Sequence, residues 1–179
     1  MLFKENEFRI AKPTYQEAFP KVERMPMWMV KCFTHPKTSA FYTVYEGAQY
    51  VGLVYCVYWK DLLYILYFAI DQNLRGKGYG GRILQEICSR YAGYRIILCA
   101  EEVDQSYSNY EQRRSRMQFY ERNGFQASGE KLKEVGVVYD ILCYHGCKVE
   151  KTEYFSLFRN YLGNFLYHVV YRLSLIHIS

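Results

Sequence analysis

Long apolar runs, long basic runs and repeats are all missing from this sequence. No stretch is apolar for the roughly 20 residues that a membrane-spanning helix needs, so a membrane partner is not expected. The first residues, MLFKENEFRI, lack the apolar segment of a secretory leader. With no leader, the six cysteines (Cys32, Cys56, Cys88, Cys99, Cys143 and Cys147) are expected to be reduced thiols in a cytoplasmic protein. No Lys/Arg block is present; the densest basic cluster is Arg113-Arg114-Ser115-Arg116. The net charge of +5 permits an anionic ligand without calling for nucleic acid. Paired C-x-x-C zinc spacings are absent as well. Cys143, His145 and Cys147 alternate and would share a face on a strand, but they have no partner pair, so no metal site is expected.

What is present points to one globular domain. The chain has 179 residues, 50% hydrophobic and 23% charged, with no low-complexity segment or linker. The last residues, LSLIHIS, look like the translation of a transposon-end sequencing adapter. The expected domain is therefore 1–172, with 173–179 set aside. Aromatics reach 18%, including 20 Tyr, which suits a core and sheet surface built from amphipathic rings.

Residues 6–11 suggest a short strand, and PTYQEAFPKVERMPMWMVKCF suggests two short helical pieces broken at Pro20 and Pro26. SAFYTVYEGAQYVGLVYCVYWKDLLYILYFAI divides at EGAQ and WKD into three antiparallel strands. Then the period changes: Ile83, Ile87 and Tyr91 fall four apart, with Leu84 and Cys88 beside them, as in a helix with one apolar stripe. YRIILCA reads as a buried strand, YEQRRSRMQFYERNG as a helix stopped at Asn123-Gly124, and the segment from Phe125 as a hairpin. A C-terminal helix follows. One strand–helix–strand unit inside an antiparallel sheet gives α/β layering.

The segment DQNLRGKGYGGRIL, residues 71–84, concentrates glycine and positive charge where a strand meets a helix. No Lys-Ser or Lys-Thr follows the glycines, which excludes a P-loop. Gly76, Gly78 and Gly81 fit the dinucleotide pattern G-x-G-x-x-G, with Glu101 at about the right distance. Against that pattern, five polar residues separate the strand from the first glycine, and only one βαβ unit is present. Taken from Arg75, the spacing is Arg75-x-x-Gly78-x-Gly80. Side-chain-free amides at a helix start form an anion cradle, which Arg75 and Lys77 would rim with charge.

That loop resembles the pyrophosphate loop of the GNAT acetyltransferases. FYERNGF, residues 119–125, resembles a second segment of the family, and AFPKVERMP, residues 18–26, resembles the first helical region of an uncharacterised bacterial branch. The resemblance covers most of residues 1–150. It implies a mixed, mostly antiparallel sheet of about seven strands flanked by helices. It also implies acetyl-CoA as cosubstrate, held by Arg75, Gly76, Lys77, Gly78, Tyr79 and Gly80. Main-chain groups of Ala69 and Ile70 would pair with the pantetheine arm, and one N–H there would donate to the oxyanion. Tyr120 would be the general acid at the coenzyme sulfur.

Two departures matter. Arg113 stands where many members carry an Asn that contacts the coenzyme, and Arg116 stands where they carry Ala. Arg113 could instead meet a phosphate or an acidic acceptor. Leu66 occupies the position of a frequent strand Glu. Glu101 or Glu102 could substitute as base, or a neutral amine could attack directly through a water chain. The implied activity is N-acetylation of a small-molecule amine or a peptide, by a monomer or homodimer, without nucleic acid. The alternative is a non-catalytic acyl-CoA-binding or regulatory module on the same fold.

Overall fold

A computed structural model describes residues 1–134, 136–164 and 166–168. The chain builds strand β1 (Leu2–Glu5), helices α1 (Phe8–Ala18) and α2 (Met27–Phe33), and strands β2 (Ser39–Glu46), β3 (Gln49–Trp59) and β4 (Leu62–Ile70). Helix α3 (Tyr79–Arg90), strand β5 (Arg95–Glu101) and helix α4 (Tyr110–Arg122) follow. Strands β6 (Phe125–Glu134) and β7 (Val137–Tyr144) and helix α5 (Lys151–Leu162) complete the described order. The strands form one sheet in the order β1-β2-β3-β4-β5-β7-β6. Every neighbouring pair is antiparallel except β4 and β5, which the α3 crossover makes parallel. The expected mixed, mostly antiparallel architecture is the one observed.

Helices cover both sheet faces. One core cluster joins Ala11, Tyr15 and Val30 to Phe41, Tyr55, Tyr64, Ile97, Ile141, Tyr154 and Leu157, under α1, α2 and α5. The other places Ile83, Leu84, Ile87 and Cys88 of α3 over Val44, Val54, Leu63, Leu98 and Leu142. Burial on both faces explains why β3 reads as an unbroken apolar run instead of an alternating one. Several buried tyrosines satisfy their hydroxyls on one another: Tyr55 bonds Tyr161 at 2.7 Å and Tyr42 bonds Tyr91 at 2.8 Å.

The first elements differ from the sequence expectation. The strand lies at Leu2–Glu5, and residues 8–18 are helical where 6–11 reads as a strand. Asn6, with φ +62°, turns the chain between them. Pro13 lies inside α1, a position that ordinarily interrupts a helix, and packing of Ala11, Thr14 and Tyr15 holds the segment helical. Residues 173–179, the adapter-like tail, lie outside the described residues.

Candidate active site

The site begins with a defect in the sheet. Strand β3 pairs Cys56 with Ile65 and Tyr55 with Tyr67, so Leu66 is an extra residue on β4. Such a bulge sharpens local twist. Strands β4 and β5 pair from Leu62↔Arg95 to Ile65↔Leu98 and then separate, although β4 runs on to Ile70 and β5 to Glu101. The edge of β4 over Leu66–Ile70 that faces away from β3 is therefore open. Beneath it lies a cavity of about 1210 Å³ lined by Leu66, Ala69, Ile70, the 76–81 glycines, Glu101, Tyr120 and Glu134.

The glycine segment closes one end of this cavity. Gly78 caps α3 with φ +80° and Gly76 has φ +74°, both left-handed conformations that favour glycine. A Cβ on either would meet nothing within 4 Å, so the space beside the backbone is open. No side chain caps α3, which leaves the amides of its first turn for a ligand at the positive end of the helix. Gly80 is needed for packing: an added Cβ would lie 3.0 Å from the Phe119 ring. Gly76, Gly78, Tyr79 and Gly80 all line the cavity, as does Arg75. The Arg75 guanidinium is already held by Glu17 in a bidentate pair and donates from Nε to the Ile70 carbonyl at 3.1 Å. Lys77 is exposed and donates to the Asn73 carbonyl at 2.9 Å, outside the cavity wall. The helix start is thus open to the cavity, with Arg75 on its wall and Lys77 outside it.

Tyr120, on the last turn of α4, stands on the cavity wall between Phe119 and Phe125. Burial raises its pKa above the ordinary 10, which keeps the phenol protonated. Across the cavity the expected acid–base groups divide. Glu101 is buried; Arg113 holds Oε1 at 3.0 Å and Arg116 holds Oε2. Both oxygens are thus committed to guanidinium groups. Glu102 pairs with Lys131 and is not on the wall. Arg113 is 6% exposed and does not reach the cavity, where a coenzyme contact is expected. Its Nε donates to Asn109 Oδ1 at 2.8 Å, its Nη1 to the Glu102 carbonyl at 3.0 Å, and its plane lies 3.7 Å from the Tyr107 ring. It braces the start of α4 against the end of β5.

Sequence reasoning missed two carboxylates. Glu134, at the end of β6, faces the cavity beside Leu132, Tyr139 and Tyr154. It accepts a 3.0 Å hydrogen bond from the Tyr154 hydroxyl and has no cation within 4 Å among the described residues. Burial pushes its pKa up, and the Tyr154 bond only partly offsets that. Glu23 also lines the cavity; burial, then the Glu101 charge, raises its pKa against the pull of Arg116 and Arg113. The signal for Glu134 is its spacing of two from Leu132, which puts both on one strand face. At the other end of the sheet, β7 stops at Tyr144, and His145 and Gly146 turn with positive φ. The shared strand face expected for Cys143, His145 and Cys147 therefore does not form.

The sequence matches the acetyltransferase (GNAT) domain model over residues 37–127. No curated protein sequence matches it significantly. Among solved structures, a protein described as a GNAT-family acetyltransferase of Bacteroides thetaiotaomicron superposes with a TM-score of 0.73 at 17% identity, covering 93% of this chain and 98% of that one. An aminoglycoside 6'-N-acetyltransferase complexed with coenzyme A gives 0.59 at 14% identity, covering 84% and 99%. The ribosomal-protein-S18-alanine N-acetyltransferase of Escherichia coli gives 0.63 at 12% identity, covering 84% and 96%. At these identities the likeness is one of fold.

Proposed function

This chain belongs to the GNAT acetyltransferase family, and from that premise we propose that it transfers the acetyl group of acetyl-CoA directly to a primary amine while both are bound. Residues 1–172 form one N-acetyltransferase domain in this proposal. The observation that carries it is the open edge of β4 at Leu66–Ile70 above the uncapped start of α3. An extended pantetheine arm would complete the sheet there through the main chain of Ala69 and Ile70. The amides of Gly76, Gly78, Tyr79 and Gly80 would hold the diphosphate at the helix start.

The chain's own residues then divide the proton work. The cosubstrate supplies an activated acetyl group. Tyr120, kept protonated by burial, donates its proton to the departing sulfur. Glu134 receives the proton of the attacking amine: like Glu23 it is a cavity carboxylate with no cation within 4 Å among the described residues, and the hydrogen bond from Tyr154 fixes its orientation. Glu101 keeps Arg113 and Arg116 in place and is a positioning residue. Holding amine and thioester side by side contributes much of the rate. The acceptor is a small-molecule amine or a peptide amine.

Thermal stabilisation by acetyl-CoA, compared with NAD, tests the cradle. Release of free thiol in the presence of pooled amines tests transfer. Stabilisation without turnover on any amine would favour the non-catalytic acyl-CoA-binding module. Stabilisation by NAD alone would overturn both.

A further inference from the structure

Two thiols lie together at the end of the sheet farthest along β7 from Glu101, and acetyl transfer uses neither. Cys143 is buried on β7 opposite Ile97 of β5. The chain then folds back at His145 (φ +50°) and Gly146 (φ +65°), and the Cys147 amide donates to the Tyr144 carbonyl at 3.2 Å. This tight turn returns Cys147 to the same place: its Sγ sits 3.7 Å from the carbonyl oxygen of Ile96, the neighbour of Ile97. The two thiols are near enough to shift each other's titration, in opposite directions. Both line a separate cavity of about 590 Å³, along with Arg95, Gln126 and Gly146, so Cys147 is reachable by a small solute. The neighbouring Cys143 thiol lowers the Cys147 pKa, with help from the Arg95 charge against burial. Cys56, Cys88 and Cys99 are instead pushed up by burial in the core.

We propose that Cys143 and Cys147 form a reversible dithiol–disulfide couple oxidised by hydroperoxides. The Cys147 sulfur attacks one peroxide oxygen; an S–O bond forms, the O–O bond breaks, and the other oxygen leaves as water or an alcohol after taking up a proton. Sulfur loses two electrons and the peroxide gains them. The Cys143 sulfur then attacks the Cys147 sulfur. The S–O bond breaks, and the hydroxyl departs as water with the Cys143 thiol proton. A dithiol reductant reverses the result by exchange. Closing the bond ties the end of β7 to the segment that leads into α5.

The sequence makes this easy to read, because trypsin leaves both cysteines in one peptide, residues 134–148. The full chain is treated with stoichiometric hydrogen peroxide, alkylated, digested and weighed. The expected result is a 134–148 peptide that has lost two hydrogens and takes no alkyl group, appearing before exposed Cys32 reacts, and restored by dithiothreitol. Cys143→Ser should leave Cys147 as a sulfenic acid that dimedone captures. Cys147→Ser should leave Cys143 unreactive in the folded chain. Oxidation of Cys32 while 134–148 still takes two alkyl groups would overturn the proposal, and so would irreversible oxygen addition at Cys147 with Cys143 still alkylated. If either variant fails to fold, the unmodified chain alone gives a decisive answer.

Discussion

Glu101→Gln separates a bracing role from a proton-accepting one. Glu101 and Arg113 have side chains 10% and 6% exposed, so the substitution strips the buried guanidinium of its counter-charge. Breaking a buried pair by removing one partner costs about 3–5 kcal/mol. Arg113 keeps the Asn109 side chain, the Glu102 carbonyl and the Tyr107 ring, which argues for the lower end, about 3 kcal/mol. Arg116 is 46% exposed and rehydrates, adding no more than about 0.5 kcal/mol. For a chain of this size each kcal/mol lowers Tm by about 2–4 °C, so the expected drop is about 6–12 °C. Differential scanning fluorimetry reads it. Arg113→Met in the same chain should recover part of the loss, because it removes the orphaned charge. Turnover measured well below the new Tm should stay within about fivefold, a change worth roughly 1 kcal/mol in barrier. An unchanged Tm with turnover down a hundredfold or more would refute the bracing role and make Glu101 the proton acceptor.

The other expectations use the same protein. Tyr120→Phe should cut kcat by about 10²–10⁴ with acetyl-CoA affinity within about twofold, as titration calorimetry and single-turnover kinetics would show. Gly78→Ala, at φ +80°, should cost about 1–2 kcal/mol of stability and weaken acetyl-CoA binding about tenfold, read from the ligand-induced Tm shift. Glu134→Gln should lower turnover on ammonium-bearing acceptors by about 10²–10⁴ and erase the acid limb from the residual kcat/KM profile, a limb displaced above the ordinary carboxylate value of 4.5 because burial raises the group. Stability gives an independent check on Glu134. A raised folded pKa contributes stability that is full below the unfolded value and lost as pH rises through the folded value. The wild-type minus Glu134→Gln difference in Tm should therefore shrink as pH climbs from about 4.5.

Local signals were readable; cross-chain partnerships were not. The loop from Arg75 to Gly80 announces itself because glycine spacing, charge and the strand-to-helix switch sit in 14 consecutive residues, 71–84. The hairpin turns around Gly47 and Lys60 are equally local. Arg113 is different: its partners Glu101 and Glu102 lie on another element, so its burial depends on how α4 meets β5. Glu134 sits in a charged run, GEKLKE; it is half-buried, and its partner is Tyr154 of α5, 20 residues further along the chain. Helix α1 was obscured by Pro13, whose local penalty is outweighed by the packing of Tyr15 against Tyr67.

The parting of β4 from β5 has a mechanical side. Within the sheet, the ladder that joins the four-strand plate β1–β4 to the three-strand plate β5–β7–β6 has four residue pairs, Leu62↔Arg95 to Ile65↔Leu98. A seam that short is the natural crease for partial opening, and a strand-like guest laid along Leu66–Ile70 would act as a zip fastener across it. Amide exchange should then slow on both plates when the guest binds, far from any atom that it touches.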